Sequence, residues 1–361
     1  MLAIGLMSGT SRDGIDAALI ETDGDGLVKP LAFHAQAYQD GFRVRLAEAC
    51  ARAMAMDAPG FEPLIASVEA ELTELHVEAV ADLLGRSGHV AEDVGVIGFH
   101  GHTVAHRPDR RWTWQIGDGA ALAGAFGIAV VGDLRSADVA AGGQGAPLLP
   151  VYHRALAAGL EKPVAILNLG GVANITAIGS DGALTAFDTG MASGLIDNWM
   201  QAHGDMAYDA GGACAAQGRV DEARLGAMLA DPWFAAPPPK SIDREAFTIE
   251  AVQGLDLEDG AATLTAFSAA AVARGIDHLA ERPLCLHVAG GGRHNRTLMA
   301  MLAERCRVDV RSVDALGWDG DALEAQGFAY MAVRHLAGLP ISFPGTTGAP
   351  APMTGGVLFR A

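Results

Sequence analysis

Twice in this chain an apolar run breaks on a tip of small polar residues and returns as a second apolar run. Residues 2–6 and 15–21 flank Met7-Ser8-Gly9-Thr10-Ser11-Arg12-Asp13-Gly14, and Thr22-Asp23-Gly24 closes the return. Residues 164–167 and 175–178 flank Asn168-Leu169-Gly170-Gly171-Val172-Ala173-Asn174, and Ser180-Asp181-Gly182 closes that return. Short apolar runs bounded by Gly, Asn, Asp and Ser read as strands and turns, so each stretch is a β-hairpin. Residues 184–187 add a strand ending on Asp188-Thr189-Gly190. The pair reads as a weak internal repeat of fold rather than of sequence. Two unrelated hairpins in an α/β protein is the alternative.

The rest of the chain continues the α/β pattern. Helical spacing runs from about residue 43 to 85, and residues 94–99 form a strand with a His100-Gly101-His102 tip after it. Further strands are expected at 112–116, 128–131 and 284–288, and helices at 194–203, 220–229, 261–281 and 321–336. With 361 residues, 50% of them hydrophobic, the chain fills more than one ordinary domain, so two lobes are expected. A net charge of −18 disfavours nucleic-acid partners and requires that an anionic substrate be met by placed cations. Cys50, Cys214, Cys285 and Cys306 form no CxxC pair, which points to reduced thiols. The longest apolar run, 120–132, is broken by glycine and shorter than the ~18 residues of a membrane span. The opening run lacks the basic flank of a signal peptide. A soluble, cytoplasmic protein is expected.

Glycine-rich tips let backbone N–H groups approach phosphate oxygens, and small hydroxyls add donors. Hairpin, hairpin, then the Gly290-Gly291-Gly292 turn after a strand is an order suited to a nucleotide. Neither a GxxxxGK[ST] loop nor a GxGxxG between strand and helix is present. A rival reading is a metal-dependent hydrolase: His100, His102 and His106 have HxH and HxxxH spacing, which zinc sites use. No Cys or carboxylate stands near them before Asp109.

The stretch Gly5-Leu6-Met7-Ser8-Gly9-Thr10-Ser11-Arg12-Asp13-Gly14-Ile15-Asp16 resembles the opening signature of anhydro-N-acetylmuramic acid kinases. So do Phe99-His100-Gly101, Gln115-Ile116-Gly117-Asp118, the block from Gly132-Asp133-Leu134-Arg135 to Gly145-Ala146-Pro147, and Phe187-Asp188-Thr189-Gly190. Lys240-Ser241 and Phe343-Pro344-Gly345-Thr346-Thr347-Gly348 extend the resemblance close to full length. The chain departs from the pattern at Met191-Ala192-Ser193, where Pro-Gly-Asn is usual. It departs again at His102, usually Gln, and at Ile242-Asp243, usually Thr-Gly.

The resemblance implies a two-lobed actin-like ATPase fold of duplicated ribonuclease H-like domains, with a central nucleotide cleft. Lobes at 1–135 and 136–335 and a tail at 336–361 folding back on the first are expected. The implied reaction opens the 1,6-anhydro bridge of a cell-wall-recycling sugar with water and phosphorylates O6 from ATP with Mg²⁺. A homodimer is implied too. Implied ATP-binding residues are Gly9, Thr10, Ser11, Arg12, Asp13, Gly14, Ile15, Asp16, Asn168, Gly170, Gly171, Asn174, Gly290, Gly291, Gly292 and Asn295.

Asp188 is the candidate base, although an Asp at such a turn also caps helices. Asp13 and Asp16 are candidate Mg²⁺-side carboxylates through water, or else plain turn residues. Arg135 offers a bidentate fork to the sugar's carboxylate, with an ion pair to Asp133 or Asp138 as the alternative. His100, Asp118 and Glu324 complete the expected sugar contacts, Glu324 being otherwise an exposed helix residue. A catalytically altered ATP-binding relative is the second reading.

Overall fold

In the computed structural model, which describes residues 1–9, 11–242 and 246–361, the opening apolar run is strand β1 (Leu2–Ser8) and its return β2 (Gly14–Thr22). β1 is apolar from Leu2 to Met7 because both its faces are covered. Strand β3 (Val28–Ala37) extends the hairpin. The sequence hid it, because it is a mostly exposed edge strand with Pro30 at a register shift, where a missing N–H does least harm. The single helical stretch expected over 43–85 is two helices, α1 (Asp40–Met54) and α2 (Pro63–Ser87). Pro63 opens α2, the Glu62 carboxylate accepts from the Ile65 N–H at 2.8 Å, and Gly88 closes it at φ 75°.

Strand β4 (Val94–Arg107) does not stop at residue 99. The expected His-Gly-His tip lies inside it, where Gly101 at φ 68° sits in a register shift of the pairing with β1, one residue before the pairing with β5 (Trp112–Ile116) begins at His102. Then come α3 (Gly119–Phe126), β6 (Val130–Gly132), α4 (Ser136–Ala141) and α5 (Pro150–Leu156).

The second hairpin is β7 (Val164–Leu169) and β8 (Val172–Ile178), extended by β9 (Leu184–Met191). Helices α6 (Ser193–Gly204), α7 (Glu222–Leu229) and α8 (Leu257–Asp277) follow. β10 (Cys285–Ala289), α9 (Arg296–Cys306) and β11 (Asp309–Ser312) complete this region. The chain ends with α10 (Leu323–Leu336) and β12 (Val357–Phe359).

Contacts divide the chain into Met1–Ala158 with Ala322–Ala361, and Gly159–Asp321. The divisions therefore fall later than residue 135 and earlier than 335. The reason is packing: α5 touches α10, and α10 lies on β1, β2 and β4. That fit depends on two glycines, since a Cβ on Gly5 would sit 1.8 Å from the Ala325 carbonyl oxygen and one on Gly98 2.0 Å from that of Phe328. Helices α1 and α2 cover the other side, around Leu46, Leu72, Leu83 and Ile97.

Among the described residues the strands form two sheets. The first runs β12-β6-β4-β1-β2-β3, with β5 on β4, and the second β11-β10-β7-β8-β9. In each, a hairpin and its third strand pair antiparallel, one further strand (β4 or β10) adds parallel on the hairpin's first strand, and another (β6 or β11) adds parallel on that one. The expected repeat of fold is thus present in strand order and direction. All four cysteines are free. No helix among the described residues is long and apolar enough to cross a membrane.

Candidate active site

The first tip turns at Gly9, whose carbonyl accepts from the Arg12 N–H at 3.0 Å, with Arg12 at φ 57°. Ser11 Oγ donates to Asp13 Oδ1 at 2.6 Å. Thr10 lies outside the described residues. Gly14 begins β2 where a Cβ would meet the Gln36 carbonyl oxygen at 2.3 Å, and Ile15 is buried while Asp16 is half-buried. Beneath the tip, Ser8 Oγ is 2.6 Å from Tyr38 Oη and 2.8 Å from His102 Nδ1. Burial, then the Arg12 charge, pushes His102 down to about 3. It stays neutral and fixes the root of the tip. The sequence reading passed over Ser8 and Tyr38, because residues 30 positions apart give no local signal of meeting.

His100, Arg135 and Glu324 come together in this unit. Arg135 Nε donates to His100 Nε2 at 2.9 Å, and His100 Nδ1 meets its neighbour's carbonyl at 2.9 Å, so the ring is the neutral Nδ1–H tautomer. Burial first, and Arg135 second, hold His100 well below the usual histidine range. Burial brings Arg135 down to about 10, opposed by the charge of Glu324. The Glu324 carboxyl is raised by burial, which Arg135 counteracts and Asp13 reinforces. Arg135 is no surface ion pair: its second bond runs from Nη1 to the Gly145 carbonyl at 2.7 Å.

Asp118 stands apart from them in role. Its Oδ1 accepts from the N–H groups of Ala120 and Ala121 at 2.9 and 3.0 Å, which makes it the cap of α3. A cavity of about 240 Å³ opens beside it, lined by Phe99, His100, Gln115, Asp133 and Phe359.

The three histidines of the hydrolase reading do not converge. His100 and His102 are engaged as described, and His106 Nδ1 bonds Thr113 Oγ1 at 2.9 Å. Among the described residues no three His, Cys, Asp or Glu side chains gather as a metal site.

In the second unit, Asn168 pairs across to Asn174 and Asn174 to Asp188, so three polar residues form one row over β7, β8 and β9. β9 carries an extra residue there, Thr189, a bulge of the kind that re-aims side chains beside sites. Asp188 does not end its strand, which runs on to Met191, and the cap of α6 is Ala192. The helix-cap alternative for Asp188 therefore fails. Its backbone N–H donates to the Lys240 carbonyl at 3.0 Å, and its Oδ2 accepts from the Ile242 N–H at 2.9 Å. Burial raises the carboxyl to about 7, against the opposing Ile242 bond.

The tip between β7 and β8 is Gly170-Gly171. The Gly171 carbonyl accepts from the N–H groups of Ala192 and Gly194 at 3.0 and 3.2 Å. Ser193 gives the Gly170 carbonyl both its N–H at 3.0 Å and its hydroxyl at 2.7 Å. Carbonyls tied down this way suit a backbone that presents N–H groups to an anion. The triple-glycine turn packs on the same strand end. Gly290, at φ 76°, would place a Cβ 2.4 Å from Asn168 Oδ1, while Gly291 has open space. Arg293 pins the turn with paired bonds to Asp321 at 2.7 and 2.9 Å. Asn295 caps α9 through Leu298 N–H at 2.9 Å.

The departures from the family pattern have local explanations. Ser193 holds the tip, His102 holds Ser8, and position 242 serves Asp188 through its backbone, which is indifferent to side chain. Asp243 lies outside the described residues.

The family described as Anhydro-N-acetylmuramic acid kinase matches residues 1–361. An anhydro-N-acetylmuramic acid kinase of Rhizorhabdus wittichii is 63% identical over 361 residues, spanning 100% of this chain and 99% of its own. One of Zymomonas mobilis is 54% identical over 360 residues, 99% of each chain. Among solved structures, the (R)-2-hydroxyglutaryl-CoA dehydratase component A of Acidaminococcus fermentans aligns with a TM-score of 0.51 at 12% identity, covering 93% of this chain and 99% of that one. That likeness is one of fold. With the repeated strand order it gives the actin-like ATPase fold.

Proposed function

The chain belongs to the anhydro-N-acetylmuramic acid kinase family, sugar kinases of peptidoglycan recycling, and on that premise we propose that Asp188 is the base that activates water in its reaction. The observation that carries this reading is the Asp188 carboxyl itself: oriented by the Ile242 N–H, aligned with Asn174, and raised by burial to about 7. A general base works best when its pKa lies near the working pH.

The substrates are ATP and 1,6-anhydro-N-acetylmuramic acid. Water, losing its proton to Asp188, attacks C1 and the bridge C1–O6 bond breaks. O6 then takes the γ-phosphoryl group, giving N-acetylmuramic acid 6-phosphate and ADP. The departing O6 needs little acid help, since phosphoryl transfer captures it. Positioning and donor groups carry phosphoryl transfer: the tips at Gly9–Asp16 and Gly170-Gly171 address phosphates, and the Gly290-Gly291-Gly292 turn the adenosine. Asn295, whose Oδ1 caps α9, borders that turn. Asp118 likewise acts by fixing α3.

Asp13 and Asp16 offer the hard oxygen donors that Mg²⁺ takes. Among the described residues no three His, Cys, Asp or Glu side chains gather as a metal site, so a cation held by these carboxylates would keep water in its remaining positions. Mg²⁺ supplies charge neutralisation of the phosphates. Arg135 receives the sugar's carboxylate on its Nη edge. Family membership supports a homodimer in the cytoplasm, which sedimentation of the purified protein tests for the dimer.

Turnover in ¹⁸O-labelled water tests the bridge-opening step. The label is expected at C1 of the product and absent from the phosphate ester. Label in the phosphate identifies ATP hydrolysis and ends this reading.

A further inference from the structure

Asp138 sits three residues after Arg135 on α4 and is only 1% exposed. At that spacing a carboxylate can reach a guanidinium directly. Here it does not. Its Oδ1 accepts from the Gly145 N–H at 2.7 Å, and its Oδ2 accepts from Ser342 Oγ and Thr347 Oγ1, both at 2.6 Å. The loop is shaped around that carboxylate: a Cβ on Gly143 would lie 2.2 Å from Oδ1. Gly145 is held at φ 69°, and the Gln144 N–H donates to the Thr347 carbonyl at 2.6 Å.

The same Gly145 that gives its N–H to Asp138 gives its carbonyl to Arg135 Nη1 at 2.7 Å. Arg135 Nε is spent on His100. These two bonds fix the guanidinium through Nε and one Nη1 hydrogen, and the charge that acts on it most strongly is Glu324, ahead of Asp138. A direct pair with Asp138 would have taken up further guanidinium hydrogens.

We propose that Asp138 is a positioning residue for substrate binding, aiming Arg135 through the Gly145 peptide and tying that aim to the C-terminal segment at Ser342 and Thr347. This rests on the reading that Arg135 receives the sugar's carboxylate. It adds that the receptor is a relay, carboxylate to peptide to guanidinium, locked by two hydroxyls from the far end of the chain.

Separate KM values for sugar and for ATP test it, measured on the full-length protein as Arg135→Lys, Asp138→Asn, the two together, and Ser342→Ala with Thr347→Val. Arg135→Lys keeps the charge without the fork and raises the sugar KM. Asp138→Asn is expected to raise the sugar KM roughly 10–100-fold, the scale of a small misplacement of a binding group, with the ATP KM within about twofold. The double variant should be no worse than Arg135→Lys alone, because one residue acts through the other. The hydroxyl variant should show the same split more weakly, and it serves if Asp138→Asn does not fold.

Multiplying penalties in the double variant, or equal rises in both KM values, would reduce Asp138 to a tail anchor. An Arg135→Lys effect without an Asp138→Asn effect overturns the relay and leaves the carboxylate reading standing. No effect of Arg135→Lys on the sugar KM overturns the carboxylate reading, and the relay with it.

Discussion

The tip over residues 8–14 is held from below by side chains: Ser8 lies between Tyr38 and His102, and Ser11 reaches Asp13. The tip at Gly170-Gly171 is held mainly by main chain, through carbonyls that accept from Ala192, Ser193 and Gly194. The same strand order leads to both, so the difference is one of local material. A tip fixed by backbone tolerates side-chain change around it, which is how Met191-Ala192-Ser193 can stand where the family has other residues. A tip fixed by side chains passes any loss in its anchors on to its own shape.

The largest expected effect belongs to the backbone-held unit. Asp188→Asn keeps the bond from Ile242 while removing the base, and kcat should fall by roughly 10²–10⁴ with ATP affinity kept. Near-normal turnover would move the base elsewhere, to Asp16 or Glu324. The same variant should stabilise the fold. Burial raises the carboxyl from 3.8 to about 7, so between those pH values the folded protein keeps a proton that the unfolded chain has lost. Stability contributed by this group is present below the unfolded pKa and is lost as pH rises through about 7. Denaturant titration at pH 8 should therefore find Asp188→Asn more stable by on the order of 2–4 kcal/mol, and no gain near pH 4. A wild-type kcat/KM that rises with pH and levels above about 7 completes the check. A flat profile from pH 5 to 9 would remove Asp188 as the titrating base.

Next comes Gly290→Ala, where a Cβ would meet Asn168 Oδ1 at 2.4 Å with φ at 76°. It should cost about 1–3 kcal/mol of stability and weaken ATP binding, while Gly291→Ala, in open space, should change stability little. Equal effects would show that the turn has room to yield.

The two anchors can then be set against each other. Ser8→Ala leaves buried Tyr38 and His102 short of a partner and should cost about 1–3 kcal/mol, with a raised KM for ATP. Ser193→Ala removes one of two bonds to the Gly170 carbonyl and should cost about 0.5–1.5 kcal/mol. A larger loss at Ser193 than at Ser8 would erase the distinction between the tips.

What the sequence disclosed, and what it withheld, follows the same division. Hairpins, the triple-glycine turn and α10 were legible because strand runs, glycine clusters and helical spacing are local. β3 escaped because an exposed edge carries little apolar alternation, and β4 was cut short because Gly101 looked like a tip rather than a kink. Asp188 was readable as a candidate. Its support by Ile242, 54 residues on, was not, although Lys240-Ser241 had already stood out. Asn295 and Asp118, read as ligand contacts, each also cap a helix through one side-chain oxygen, a role that an Asn or Asp before a helix does not reveal in sequence.

The first sheet is finished by segments made long after the strands that begin it. α10 covers β1 and β4 at Gly5 and Gly98, and β12 pairs with β6. On the ribosome, residues 159–321 form a continuous segment that can fold as soon as it emerges, whereas the unit begun earlier waits with a bare face and an open edge until Val357–Phe359 are released. A premature stop that removes only the final strand therefore injures the half of the protein synthesised first.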